Sequence, residues 1–274
     1  MSDASRLAAA AEARRRALAS PDASARLAAL EELAAAGALD ERDVLAVVGC
    51  LGTGTKALQR RAADVLCAAE ATASPAVLAR LRLALAAPGI DERWGAAYAL
   101  GRLDVLEPAL VPVFLEALAH HDADRRWAAA ALLVGCGARD SSTTVPALLT
   151  AARGESAELR RMALYVLRDL APADARVAST FLHALDDVNA TVRLAALSAL
   201  TRLTAPPPGA CGHVLRLARD DRDAGVRRAA LSALGRLGVG VADAETAIAA
   251  AERASDPATR RAAAAARRQL ARSR

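Results

Sequence analysis

The chain is poor in aromatics: two each of Trp, Tyr and Phe make up 2% of its 274 residues. Sandwiches and barrels draw their cores from β-branched and aromatic side chains, so all-β classes are excluded first. Lysine is nearly absent, with Lys56 alone, so 35 of the 36 basic residues are arginine. Against 31 acids the net charge is +5. That excess does not imply nucleic acid, because dedicated binders concentrate basic charge on one face. Cys50, Cys67, Cys136 and Cys211 form no C-x-x-C and no dense framework, so free thiols in a reducing cytosol are expected. No basic-then-apolar leader opens the sequence. No uncharged run approaches the roughly 18 residues that a membrane span needs. A soluble, cytoplasmic protein is expected.

What the chain has is alanine, 76 residues of it, within a 54% apolar composition. That fraction is too high for a disordered chain and points to an all-α protein. The order within it is a repeat. DVNATVRLAALSALTRLT, from Asp187, superposes on DRDAGVRRAALSALGRLG, from Asp221, with an offset of 34. Sliding the pattern along the chain places equivalent positions at Arg26, Gln59, Arg93, Arg126, Arg160, Arg193, Arg227 and Arg260, at steps of 33 or 34. A fixed period in this range marks a solenoid.

Counted from this anchor, Leu recurs at +4 and +7, and small or apolar residues fill −1, +3 and +10. These positions share one side of a 3.6-residue helix. Upstream apolar segments, such as those from Pro108, Pro172 and Cys211, supply a first helix for each copy. Pro108, Pro146, Pro172 and Pro257 are expected at helix starts, where no backbone donor is needed. The expectation is one domain over residues 1–274, made of eight stacked helical hairpins at about 3–37, 40–70, 74–104, 107–137, 144–171, 173–204, 208–238 and 240–272. One hairpin buries too little alone, and stacked neighbours share a continuous core.

The D-x-x-x-x-V-R-x-x-A-x-x-A-L-x-x-L-G pattern of the second helices resembles the HEAT-repeat family. Asp187, Val192, Arg193 and Leu200 carry it, and so do Asp221, Val226, Arg227, Leu234 and Gly235. The short period is similar to the compact HEAT-like subclass of phycobilin lyase subunits. Tetratricopeptide and ankyrin signatures do not recur. Gln59 replaces the anchor arginine in the second repeat. The resemblance implies a right-handed α-solenoid whose second helices line a concave face. It also implies that Arg26, Arg93, Arg126, Arg160, Arg193, Arg227 and Arg260 form a structural ladder with loop acids of adjoining repeats.

Positions opposite the core stripe, +1, +5 and +8 or +9, are then candidate contacts. They hold Trp94, Tyr98, Trp127 and Tyr165, every Trp and Tyr in the chain, together with Arg60, Arg102, Arg161, Arg202, Arg228, Arg236 and Arg261 and fewer acids, chiefly Glu31, Asp64 and Asp169. A basic, aromatic binding face is expected, since Trp and Tyr combine contact area with a polar handle. The competing view is that a +1 Trp folds back as packing.

Chemical motifs are scarce. His120, His121, His183 and His213 form no ligand spacing and lack the His-Glu dipeptides of HEAT-like deoxyhypusine hydroxylases, so no metal or cofactor is expected. Gly52-Thr53-Gly54 lacks the rest of a phosphate loop, and the glycines from Gly235 to Gly240 read as a helix end. The leading expectation is a non-enzymatic scaffold that grips a protein or peptide partner bearing acidic groups. Nucleic-acid binding is the alternative, by analogy with HEAT-like alkylpurine DNA glycosylases, with Asp64 as the nearest carboxylate to the aromatics. A bilin or chromophore lyase subunit ranks third.

Overall fold

The structure, a computed structural model, describes residues 3–36, 39–51, 55–68, 74–171, 173–203, 206–237 and 241–272. Among them are sixteen α-helices and no strand. By internal contacts the chain divides into two compact units, Met1–Ala117 and Leu118–Arg274.

The first unit holds α1 (Asp3–Leu18), α2 (Ala23–Ala36), α3 (Glu41–Val48), α4 (Lys56–Ala68), α5 (Pro75–Ala84), α6 (Ile90–Arg102) and most of α7 (Val111–Leu118), which a 3₁₀ turn at Pro108–Leu110 introduces. Helices pair as α1 with α2, α3 with α4 and α5 with α6. Second helices then stack in the order α2, α4, α6, and first helices in the order α1, α3, α5. The core is Leu30, Leu33, Val44, Val47, Leu58, Leu66, Leu81 and Leu100, each nearly or wholly buried. Asp43, also buried, accepts a 2.8 Å hydrogen bond from Arg15.

The second unit holds α8 (Ala123–Arg139), α9 (Ser141–Ala151), α10 (Ala157–Leu170), α11 (Ala175–Ala184), α12 (Ala190–Leu200), α13 (Ala210–Asp220), α14 (Ala224–Leu237), α15 (Val241–Glu252) and α16 (Pro257–Arg272). The second helices α8, α10, α12, α14 and α16 pack in succession. Small residues set their spacing. A Cβ on Gly235 of α14 would lie 2.8 Å from the Ala266 carbonyl oxygen of α16 and 2.9 Å from its Cα, so the two backbones meet without a side chain between them.

Helix starts follow local capping. Asp122, Ser156 and Asn189 accept from backbone N–H groups at the heads of α8, α10 and α12, and Ser74 with Pro75 opens α5. Pro146 corrects an expectation: it lies inside α9 rather than at its start. Asp140 begins that helix five residues earlier by accepting from the N–H groups of Ser142 and Thr143, and Pro146 forgoes one helical bond. Pro257 does start α16. The segment from Pro172 starts at Ala175 under an Asp174 cap, with Pro172 itself outside the described residues. Gly235 is a buried position within α14 rather than a helix end, while Gly238, Gly240 and the Gly52-Thr53-Gly54 segment lie outside the described residues.

The anchor arginines bond in two directions. On one side, Nη1 donates to the two turn carbonyls five and six residues upstream. Arg93 reaches Ala87 and Pro88, Arg126 reaches His120 and His121, Arg160 reaches Gly154 and Glu155, and Arg193 reaches Asp187 and Val188. Arg227 and Arg260 do the same in their own turns. These carbonyls follow the first helix of each hairpin and have no helical partner, so one guanidinium closes the turn.

On the other side, Nε and Nη2 of Arg160 bond the Asp187 carboxylate at 2.7 and 2.9 Å, and those of Arg193 bond Asp221 at 2.8 and 2.7 Å. Asp187 and Asp221 thus each take their carboxylate bonds from the preceding repeat's arginine and give their carbonyls to their own. Arg93 pairs with Glu116, and Arg126 lies 2.5 Å from Glu158. The Arg193–Asp221 side chains are only 6% and 4% exposed.

Burial works against the charges of Asp187 and Asp221. Hydrogen bonds from Arg160 and Arg193, joined by the backbone N–H groups of Asn189 and Asp223, nevertheless hold both carboxyls below the ordinary value. Their stabilising contribution is therefore complete above the ordinary carboxylate range and is lost as pH falls through the depressed folded values. Urea midpoints should stay level from about pH 7 to 5 and drop below about pH 4, with a shallower drop in Asp221→Asn, as followed by circular dichroism. An equally steep acid loss in that variant would contradict the assignment.

Candidate functional site

The four Trp and Tyr residues resolve into two stacked pairs, one in each unit. In the first unit, Trp94 and Tyr98, four residues apart on α6, stack with centroids 5.4 Å apart at 28°. The edge of Phe114 on α7 meets Trp94 at 6.1 Å and 72°. Trp94 is consequently only 8% exposed, which corrects its expected place on an open face: its +1 position turns toward the following helix and serves as packing. Tyr98 is half-buried, and its hydroxyl accepts from Arg102, whose guanidinium also reaches Asp64 at 3.4 Å. Asp64, the carboxylate expected beside the aromatics, is thus engaged by Arg102, while Trp94 is covered.

In the second unit, Trp127 of α8 and Tyr165 of α10 stack across neighbouring helices, 5.6 Å apart at 23°. Trp127 is 51% exposed, unlike Trp94 at the equivalent repeat position. Arg168 lies 5.1 Å from the centroid of the Tyr165 ring, so indole, phenol and guanidinium form a graded stack. Arg168 is fixed in turn by Asp169 at 2.8 Å and by the Ser198 hydroxyl at 3.3 Å. Its bond holds the Asp169 carboxyl below its usual range against the opposing effect of burial. Arg168 is the member of this cluster that the helical positions counted from the anchor did not single out. It sits three residues after Tyr165, a spacing that puts both on one helical face.

The expected basic face is neutralised in part by local acids. Arg161 bonds Glu158 at 2.5 Å, Arg228 meets Asp256 at 3.5 Å, and Arg61, beside the exposed Arg60, bonds Glu31 at 2.5 Å. Exposed Arg202 contributes to the depressed pKa of Asp169. Arg236 is exposed at the end of α14.

Burial raises all four thiols above their ordinary value, Cys136 to about 11, which is opposite to the activation of a nucleophile. His120 Nδ1 accepts from the Asp122 backbone N–H, and the ring packs 4.1 Å from that of His121. Among the described residues, no three His, Cys, Asp or Glu side chains converge as a metal site, and no helix is long and apolar enough to cross a membrane.

Residues 145–235, which contain the two most regular arginine–aspartate links, match the family model for HEAT repeats. The chain carries HEAT repeats. Its fold is similar to that of the Escherichia coli protein YibA in an X-ray structure, with a TM-score of 0.60 at 17% identity, covering 99% of this chain and 98% of that one. It is also similar to a chain in a structure of Kap95p binding to RanGDP, at a TM-score of 0.62 and 13% identity, over 95% of this chain and 39% of that one. An engineered protein aligns at 0.50 and 16% identity, over 95% of this chain and 78% of that one. At such identities the likeness concerns the fold, an α-solenoid of the HEAT and armadillo type. A search of the curated proteins gives no sequence match.

The two tryptophans separate packing from surface. Trp94→Ala should cost about 3 to 5 kcal/mol by urea unfolding, and Trp127→Ala less than about 1. Acrylamide should quench the emission of the Trp94→Ala variant, which reports Trp127, far more than that of Trp127→Ala. Equal quenching would refute the assignment.

Proposed function

We propose that this HEAT-repeat chain is a non-enzymatic scaffold and that it binds a protein or peptide partner over Trp127 and Tyr165. The observation that carries this reading is the 51% exposure of an indole held rigid by the Tyr165 ring. An exposed, immobilised aromatic offers large contact area at little entropic cost, the property of interface anchors. Arg168 lies over the Tyr165 ring and favours a partner segment in which a carboxylate flanks an apolar or aromatic group. The raised thiols support the non-enzymatic part of the proposal.

The test is capture of partners on immobilised protein, comparing wild type, Trp127→Ala/Tyr165→Ala and Leu83→Ala. Leu83 is a control because it is 70% exposed yet lies on α5, in the other unit. A protein should be retained by wild type and Leu83→Ala and lost in the double variant, whose far-ultraviolet spectrum remains helical. Equal recovery on all three would overturn the proposal.

A further inference from the structure

The net charge of the chain is not spread along it. Residues 190–272 hold fourteen arginines against seven acids, whereas the remaining residues hold 22 basic groups against 24 acidic ones. Within that segment the charges separate again by helix. The second helices α12, α14 and α16 contain no Asp or Glu, and the acids lie in turns or on the first helices α13 and α15. Several arginines are used internally: Arg193 by Asp221, Arg228 by Asp256 and Arg267 by Glu252. Arg236, Arg261, Arg268 and Arg272 remain, all exposed, and they form no hydrogen bond or ion pair with another side chain among the described residues.

Placement makes three of these a surface. Gly235, at +8 of α14, faces Ala266 of α16, so Arg268, at +8 of α16, turns away from α14. Arg261, Arg268 and Arg272 follow one another at spacings of seven and four residues along one face of α16.

The chemistry of the ligand follows from what lies between the arginines. Ala262, Ala264 and Ala265 are small, and residues 190–272 contain no aromatic side chain. A protein interface needs a desolvated apolar centre, and exposed ion pairs without one contribute about 0 to 1 kcal/mol each. A nucleic-acid backbone needs no such centre, because each neutralised phosphate releases condensed counterions. The absence of aromatics also disfavours stacked single strands and leaves the phosphates of a duplex. We propose that the Arg261, Arg268 and Arg272 face of α16 binds the phosphate backbone of a nucleic-acid duplex without reading its sequence. This goes beyond the partner site at Trp127 and does not depend on it.

The test is fluorescence anisotropy of full-length protein with a labelled DNA duplex of arbitrary sequence, from about 50 to 200 mM salt. Affinity should fall about forty-fold or more across that range, as expected for three or more neutralised phosphates. Arg261→Ala/Arg268→Ala/Arg272→Ala should weaken binding and reduce the log–log salt slope by about 1 per arginine. Trp127→Ala should bind as wild type does. The control Arg80→Ala/Arg153→Ala/Arg219→Ala removes the same charge from exposed positions on α5, α13 and the turn after α9. Equal loss in the control would reduce the effect to net charge and overturn the site. No binding at low salt would overturn it as well, and so would tighter binding to a polyglutamate peptide or to vesicles of anionic lipid.

Discussion

One arginine per repeat, closing its own turn and in the most regular repeats also gripping the next, is the constraint on which the second unit depends. Its Nη1 closes the turn of its own hairpin, and in Arg160 and Arg193 its other edge grips the first acid of the next turn. The aspartate so gripped presents its carbonyl to the next arginine. Each link therefore fixes a turn and a repeat spacing at once. A hairpin rotated or slipped against its neighbour would leave a poorly solvated carboxylate unpaired, which is costly.

Close packing follows from that spacing. Alanine at Ala195, Ala196, Ala199, Ala230 and Ala233 is fully or almost fully buried, and Gly235 lets α14 meet the α16 backbone directly. A core so short of aromatics is economical only because the helices lie close enough for small side chains to fill the gap. Larger side chains appear where a gap opens: Phe181 within the second unit, and Phe114 with Trp94 in the first.

Much of this was legible in the sequence because the repeat is regular. The anchor positions, the helix pairs and the two-helix period follow from spacing alone, and the D-x-x-x-x-V-R pattern already links Asp187 to Arg193. Other features depend on tertiary neighbours. The sequence places Trp94 and Trp127 at equivalent positions, yet Phe114 covers the first while the second keeps half its surface. Pro146 misleads because Asp140 makes a stronger start five residues earlier. The arginine face looks basic when residues are counted by helical position, but Glu158 and Asp169, on α10 itself, and Asp256, from a neighbouring turn, pair with part of it. Where no acid pairs, as at Arg261, Arg268 and Arg272 of α16, the positive charge survives.

The reciprocal link itself is the claim to test. A double-mutant cycle with Arg193→Met and Asp221→Asn, followed by urea unfolding, isolates it from the rest of the repeat. Each single change should cost about 3 kcal/mol, because it leaves a buried partner uncompensated, and the double variant should cost at least about 2 kcal/mol less than the two singles together. Additive losses, or singles as stable as wild type, would contradict the account and leave the arginine as a turn clamp with no part in joining the repeats.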